Sequence, residues 1–238
     1  LTPVDRFDKP FTEGYTVGLA YATVGEGDQL QERLYFLQDI GGQHWLQPTD
    51  LQGEPLDLPV FVKPPDNLNA AGIQLGDIVW DPLRDAFWTV DLKSQSIFAF
   101  DATGAVLEAF RTRQMKTPDP GGFLGGGIAL PATSETRVSF DIPAGATAAG
   151  FVNQIQRGEY DPAAPATAAT AIFKIDVTAS IGAAAVAGVD IVETDAGTFE
   201  YVTAMDTGAV YKIGITGSPT AQKTYRRGDI NNDTTVNI

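Results

Sequence analysis

Apolar and polar positions along this chain repeat every second residue. In Ser96-Ile97-Phe98-Ala99-Phe100 one side of an extended segment takes Ile97 and Ala99, and the other takes Phe98 and Phe100. A period of two belongs to pleated strands, and no stretch sustains the 3.6-residue period of an amphipathic helix. The strand-like runs are short and are separated by Gly, Pro, Asp and Asn, the residues that make turns. The chain therefore reads as all-β.

The pattern also repeats on a longer scale. Asp101-Ala-Thr-Gly104 with Leu107 overlays Asp50-Leu-Gln-Gly53 with Leu56, and upstream Phe87-Trp-Thr-Val-Asp91 matches Tyr35-Phe-Leu-Gln-Asp39. A later copy runs through Asp190-Ile-Val192, Phe199, Asp206 and Val210-Tyr-Lys-Ile213, echoing Asp77-Ile-Val79 and the strands after it. A period of about fifty residues announces radial or linear stacking of small units. Each unit has a Gly-led apolar strand, a second strand ending in Asp, a third, a turn and a fourth. With first strands beginning near Gly18, Gly76, Gly127 and Gly188, the expectation is a small β-propeller-like arrangement of about four four-stranded blades. A twisted β-sandwich built from the same strands is the alternative.

The third unit is irregular. Strands are expected over 127–130, 137–141 and 171–177, with an additional one over 151–155, while 143–170 is rich in Ala, Gly and Pro and its end, 161–170, reads as an exposed loop. The Pro- and Gly-rich segments 63–72 and 116–127 fall where one blade returns to the next. Four blades are few for a closed ring, so residues 1–15 are expected to pair with the last blade, or two chains to join. The repeat resembles bacterial propellers of the NHL and YVTN type, most visibly over 76–110.

Charge narrows the partners. Sixteen basic and thirty acidic side chains give a net charge of −14 and an isoelectric point near 4.3. Such a field repels phosphate backbones and anionic lipid surfaces. There is no Cys, so disulfide and thiol chemistry are excluded. No apolar run approaches the roughly 18 residues of a membrane span. The chain begins at Leu1, from which a removed signal peptide or tag is expected.

The last residues bear the most specific chemistry. Asp229, Asn231, Asp233, Thr235 and Asn237 place oxygen donors two apart, the spacing with which an EF-hand-type loop surrounds Ca²⁺ at about 2.4 Å, Thr235 contributing its carbonyl. With Gly228 and Val236 in register, the run resembles the first calcium half-repeat of type I dockerins. It departs at Thr234, where the sharp turn usually requires Gly, and the closing acid would fall beyond Ile238. The resemblance implies a truncated calcium loop over 227–238, following a propeller-like domain over 1–226. It also implies Ca²⁺ as the cofactor, a secreted or cell-surface location in a bacterium, and a cohesin-like or surface-protein partner. Identical subunits and carbohydrate are the other partners this reading admits. Arg227-Gly228-Asp229 and the triplet Asn232-Asp233-Thr234 are absorbed by the loop pattern and add no adhesion or glycosylation site.

Candidate chemistry elsewhere is sparse. His44 is the only histidine; it follows Gly41-Gly42 and reads as a loop residue on a rim, without the second His of a zinc motif. Asp39, Asp91 and Asp206, and likewise Asp50 and Asp101, recur with the repeat, as turn-anchoring acids should. Asp77, Asp81, Asp190, Glu193 and Asp195 lie in or beside inner strands, which line a propeller's channel, where they would hold a cation or act as acid and base. Tyr15, Tyr21, Trp45, Trp80, Trp88 and Tyr160 are core aromatics or sugar-stacking platforms. Gly121 to Gly127 lacks the Lys-Ser/Thr of a phosphate loop. Together these features favour a secreted, non-catalytic binding or assembly module with a calcium-binding tail. The alternatives are a carbohydrate-active enzyme, either glycoside hydrolase or polysaccharide lyase, and a self-assembling fibre or surface-layer subunit.

Overall fold

The computed structural model describes residues 13–25, 30–66, 72–94, 96–111, 126–134, 137–147, 150–160, 170–176, 186–194, 197–204, 208–214 and 223–225. These residues form strands and turns, with no helix among them. Four consecutive strands make each sheet, so every sheet is an antiparallel meander. The first holds β1 (Tyr15–Val24), β2 (Gln31–Ile40), β3 (Gln43–Thr49) and β4 (Val60–Phe61); the second holds β5 (Leu75–Asp81), β6 (Ala86–Asp91), β7 (Ser96–Phe100) and β8 (Val106–Arg111). The third holds β9 (Ala129–Ser134), β10 (Arg137–Thr147), β11 (Gly150–Tyr160) and β12 (Thr170–Asp176); the fourth holds β13 (Val186–Thr194), β14 (Gly197–Ala204), β15 (Ala209–Gly214) and β16 (Lys223–Tyr225). The expected all-β arrangement of four four-stranded, propeller-like blades is what the chain adopts.

Core residues divide into three clusters, one between each pair of successive sheets. Between the first and second lie Ala20, Tyr35, Leu37, Leu46, Ile78, Phe87, Phe98 and Phe100, with the Tyr35 and Phe87 rings 4.7 Å apart across the interface. Between the second and third lie Trp88, Val90, Ile97, Val138, Phe140, Ile142 and Tyr160, with Trp88 edge-on to Tyr160 at 5.8 Å. The cluster between the third and fourth is aliphatic and smaller, built on Ala129, Ile155, Val189, Val202 and Ala204 with Tyr211. Strand alternation makes this possible, since one strand offers odd residues to one neighbour and even residues to the other.

At the centre the first strands touch backbone to backbone. A Cβ on Gly76 would lie 2.4 Å from the Gly126 carbonyl, and one on Gly127 would lie 2.6 Å from the Val189 nitrogen. Only glycine permits that approach. Hydrogen bonds complete the stitching: Asp77 N donates to Gly126 O at 2.6 Å, and Gly127 N donates to Ala187 O at 3.0 Å. The repeated glycines thus mark where one sheet meets the next.

The third sheet departs from the sequence expectation. β10 runs on through Pro143 to Thr147, and the strand expected over 151–155 is only the start of an eleven-residue β11. Pro143 is tolerated because β9 pairs with β10 only as far as Asp141, leaving β10 bonded to β11 alone beyond that point. A residue without an N–H can sit there with its nitrogen toward the open side. Tyr15, at the described end of the 1–15 segment, pairs with Asp39 inside the first sheet, and the last sheet takes its fourth strand from Lys223–Tyr225.

Candidate functional site

Residues of all four sheets line a central cavity of about 340 Å³: Leu19, Ala20 and Tyr21 from β1, 77–80 from β5, Ile128 just before β9, and 189–191 from β13. A second, more open hollow of about 410 Å³ adjoins it at the glycine end, bordered by Gly18, Asp77, Gly126 and Gly188 among others. This is a propeller's channel, and Asp77 and Asp190 are the acids that line it.

Asp77 is half-buried in the channel wall. Its Oδ1 accepts from Ile78 N at 2.9 Å and from Leu19 N at 3.2 Å, so the side chain also ties β5 to β1. Enclosure by the inner strands raises its pKa to about 6; the two amides pull the other way, and the Asp190 carboxylate adds a smaller upward push. Asp190 repeats the local geometry, its Oδ1 accepting from Ile191 N at 2.8 Å, and burial raises its pKa as well. None of these amide bonds uses Oδ2, and the flanking wall is mostly aliphatic, with Tyr21 and Trp80 among it. Two carboxylates whose ionisation is disfavoured by their surroundings suit a counter-charge or a proton.

The remaining acids divide as the repeat implies, with one correction. Asp91 Oδ1 accepts from Gln74 N at 2.8 Å and Lys93 N at 3.1 Å, while Oδ2 takes Ser94 N and the Ser94 hydroxyl. Asp39 anchors Gly42 N at 2.8 Å, Asp50 anchors Gln52 N and Glu54 N, and Asp101 anchors Thr103 N and Ala105 N. Asp81 is not a channel acid: it is fully buried and accepts from Leu83 N, Arg84 Nη1 at 2.8 Å and Trp88 Nε1. The side chain of Glu193, together with Asp195, Asp206 and the five calcium candidates Asp229, Asn231, Asp233, Thr235 and Asn237, lies outside the described residues.

His44 is not a rim residue. The hairpin after β2 turns on Gly41 and Gly42 alone, both with positive φ, so His44 already sits in β3, paired with Asp39 and 1% exposed. Its Nε2 accepts from Leu75 N at 3.1 Å, joining the first sheet to the second. Asp39 Oδ2 stands 4.0 Å from that nitrogen, yet the two do not form an ion pair, because an acceptor nitrogen is unprotonated. Burial lowers the imidazole pKa against the opposing pull of Asp39 and Asp91. The only histidine is therefore committed to holding two sheets together.

Of the candidate aromatics, Trp88 and Tyr160 are core, Trp80 packs on Phe87 and Trp45 on Phe61. Tyr15 and Tyr21 are exposed, the latter at the channel with its hydroxyl donating to Glu32. Leu19, Ile128, Val189 and Ile191 escaped sequence reasoning as channel residues. The signal was present, because Leu19 and Ile128 follow the repeat glycines as Asp77 does.

No protein-family profile matches the sequence, and no curated protein matches it. Among solved structures the chain is similar to a protein of unknown function from Bacteroides caccae, with a TM-score of 0.48 at 11% identity over 93% of this chain and 64% of that one. It is similar to streptogramin B lyase, with a TM-score of 0.43 at 14% identity over 93% and 57%, and to the Dos1 propeller, with a TM-score of 0.46 at 11% identity over 90% and 51%. The chain spans between 51% and 64% of the length of these three. Its own four sheets about a shared channel make it propeller-like.

Proposed function

We propose that this chain is a non-catalytic, extracellular bacterial binding module of the NHL/YVTN-like kind, which receives a cationic group between Asp77 and Asp190 and is attached through a dockerin-like Ca²⁺ loop at Asp229, Asn231, Asp233, Thr235 and Asn237. The observation that supports the channel half is the setting of Asp77. Its two amide bonds use only Oδ1, a task Asn would perform equally, whereas its charge is disfavoured by enclosure and by Asp190. A carboxylate kept where it opposes stability points to a role in binding. The tail half rests on oxygen spacing and on the acidic field, and a cohesin-like or surface-protein partner follows from that resemblance.

Each half has its own test. A small diamine such as 1,4-diaminobutane should raise the melting temperature of the intact chain, and the rise should disappear in the Asp77→Asn/Asp190→Asn variant; an equal rise in that variant would remove the channel from the proposal. Calcium should stabilise the chain relative to chelator, and the difference should vanish in Asp229→Ala/Asp233→Ala. A calcium effect untouched by those changes would place the ion elsewhere.

One observation favours a second reading, a carbohydrate-active enzyme. A carboxyl with a pKa near 6 is a competent general acid at neutral pH. Turnover on a panel of glycans, lost on Asp77→Asn, would replace the binding reading by this one.

A further inference from the structure

We propose that His44 is an acid-operated latch on the seam between the first and second sheets: a proton at Nε2 ends its hold on Leu75 and turns the imidazole toward Asp39, loosening β3 from β5. The device is independent of what the channel binds.

The two ring nitrogens are unequally provided for. Nε2 accepts from Leu75 N at 3.1 Å, so that nitrogen is bare and the ring proton sits on Nδ1. Nδ1 is enclosed and has no hydrogen-bond partner among the described residues. A buried donor without an acceptor costs about 1–3 kcal/mol. The neutral ring is therefore held by one bond to the neighbouring sheet, against an unmet demand on its other side.

A second position for the ring is already furnished. Asp39 pairs with His44 across the β2–β3 hairpin, and its Oδ2 stands 4.0 Å from Nε2, beyond a hydrogen bond. Once protonated, Nε2 is a donor set against the Leu75 N–H at 3.1 Å, and that contact becomes repulsive. A shift of roughly 1 Å carries the new N–H into charge-assisted reach of Asp39 Oδ2. The carboxylate is fixed in place by Gly42 N, which donates to Oδ1 at 2.8 Å, while Oδ2 accepts from the Tyr15 hydroxyl of β1 at 2.9 Å. Tyr15 is 59% exposed, so its hydroxyl yields to a buried cation and turns to solvent.

The groups around the ring favour that exchange once the proton is on. Asp39 of β2 and Asp91 at the end of β6 both attract the imidazolium. Asp91 is also engaged by Gln74 N, Lys93 N and Ser94, and the Lys93 ammonium lies toward Gly72. From β5 and from the residue after β4 the neighbours are Leu75 and Val62, neither of them ionisable. Leu75 stays with its own sheet, because it pairs with Asp91 and because Leu92 N donates to Gln74 O beside it. The seam is what gives. Leu19 N to Asp77 Oδ1 and Lys63 N to Gly104 O still span it, so the sheets slacken without parting. Their inner strands, β1 and β5, are adjoining walls of the channel, and a proton at His44 thereby alters the channel's fit.

Because His44 is the only histidine, its ring signals are unambiguous in an NMR titration of the full chain from pH 8 to pH 5. The expected result is one midpoint below 6.5, shared by the His44 ring, the Leu75 amide and the Tyr15 ring. Asp39→Asn, which keeps an acceptor for Gly42 N, should lower the His44 midpoint by about one pH unit, and Tyr15→Phe, which leaves Oδ2 to the imidazolium, should raise it. His44→Gln should abolish the pH response at Leu75 and Tyr15, with circular dichroism matching wild type. A Leu75 amide that stays still while the imidazole titrates overturns the inference. An imidazole that stays neutral down to pH 5, or a midpoint that neither variant moves, overturns it equally.

Discussion

Asp91 and Asp77 belong to paired strands of one sheet, yet they relate to the backbone in opposite ways. Asp91 is fully buried and spreads both oxygens over the Gln74 amide just before β5 and over two amides and a hydroxyl of the turn it caps. Asp77 commits one oxygen to two amides and keeps its charge in a channel that resists it. Asp81 belongs with Asp91, and Asp190 with Asp77. The difference separates acids whose two oxygens are taken up by buried or turn donors from acids whose charge is left in the channel, although all are Asp within strands.

The sharpest way to break that division is to delete one member of each kind. Asp81→Ala leaves the Arg84 guanidinium and the Trp88 indole N–H without this acceptor in a buried site, and should cost roughly 3 kcal/mol in a denaturant titration. Asp190→Ala should stay within about 0.5 kcal/mol of wild type; an equal loss would erase the distinction. Asp91→Ala comes next, at roughly 2 kcal/mol, because the turn amides it leaves can reach solvent.

Smaller effects come from pH, and they have opposite signs. His44 must be neutral to accept from Leu75 N, and its folded pKa lies below the ordinary 6.5. Its stabilising bond is therefore present in full above pH 6.5 and is lost as pH falls through the lower folded value, so a melting profile should begin to drop as pH falls below 6.5. Asp77, raised from 3.8 to about 6, contributes its full share only below the unfolded value and loses it as pH rises through 6. Asp77→Asn should then gain roughly 1 kcal/mol at pH 8 and nothing at pH 3.5. A gain independent of pH would mean that packing, not charge, is responsible.

Much of this was legible in the chain. The fifty-residue repeat foretold four sheets of four strands, because turn acids and strand-leading glycines recur only if the local structure recurs. Asp39, Asp50, Asp91 and Asp101 do at their turns what their recurrence implied. His44 was misplaced because a Gly-Gly hairpin closes in two residues, which moves the imidazole from the turn into the strand. The length of β11 was hidden because Asn153, Gln154, Gln156 and Gly158 interrupt its run of strand-forming residues. Which acid lines the channel could not be read at all for Asp81, since a one-residue difference in register decides whether a carboxylate meets solvent or the Trp88 indole.

Pro143 carries a consequence for colloidal behaviour. Past Asp141 the long hairpin of the third sheet offers one flank with no neighbouring strand among the described residues, and an open flank of amides is a template on which foreign strands add. By withholding one amide there, the proline interrupts the ladder an incoming strand would need, so replacing it with Thr or Val should make the protein precipitate more readily while leaving its fold intact.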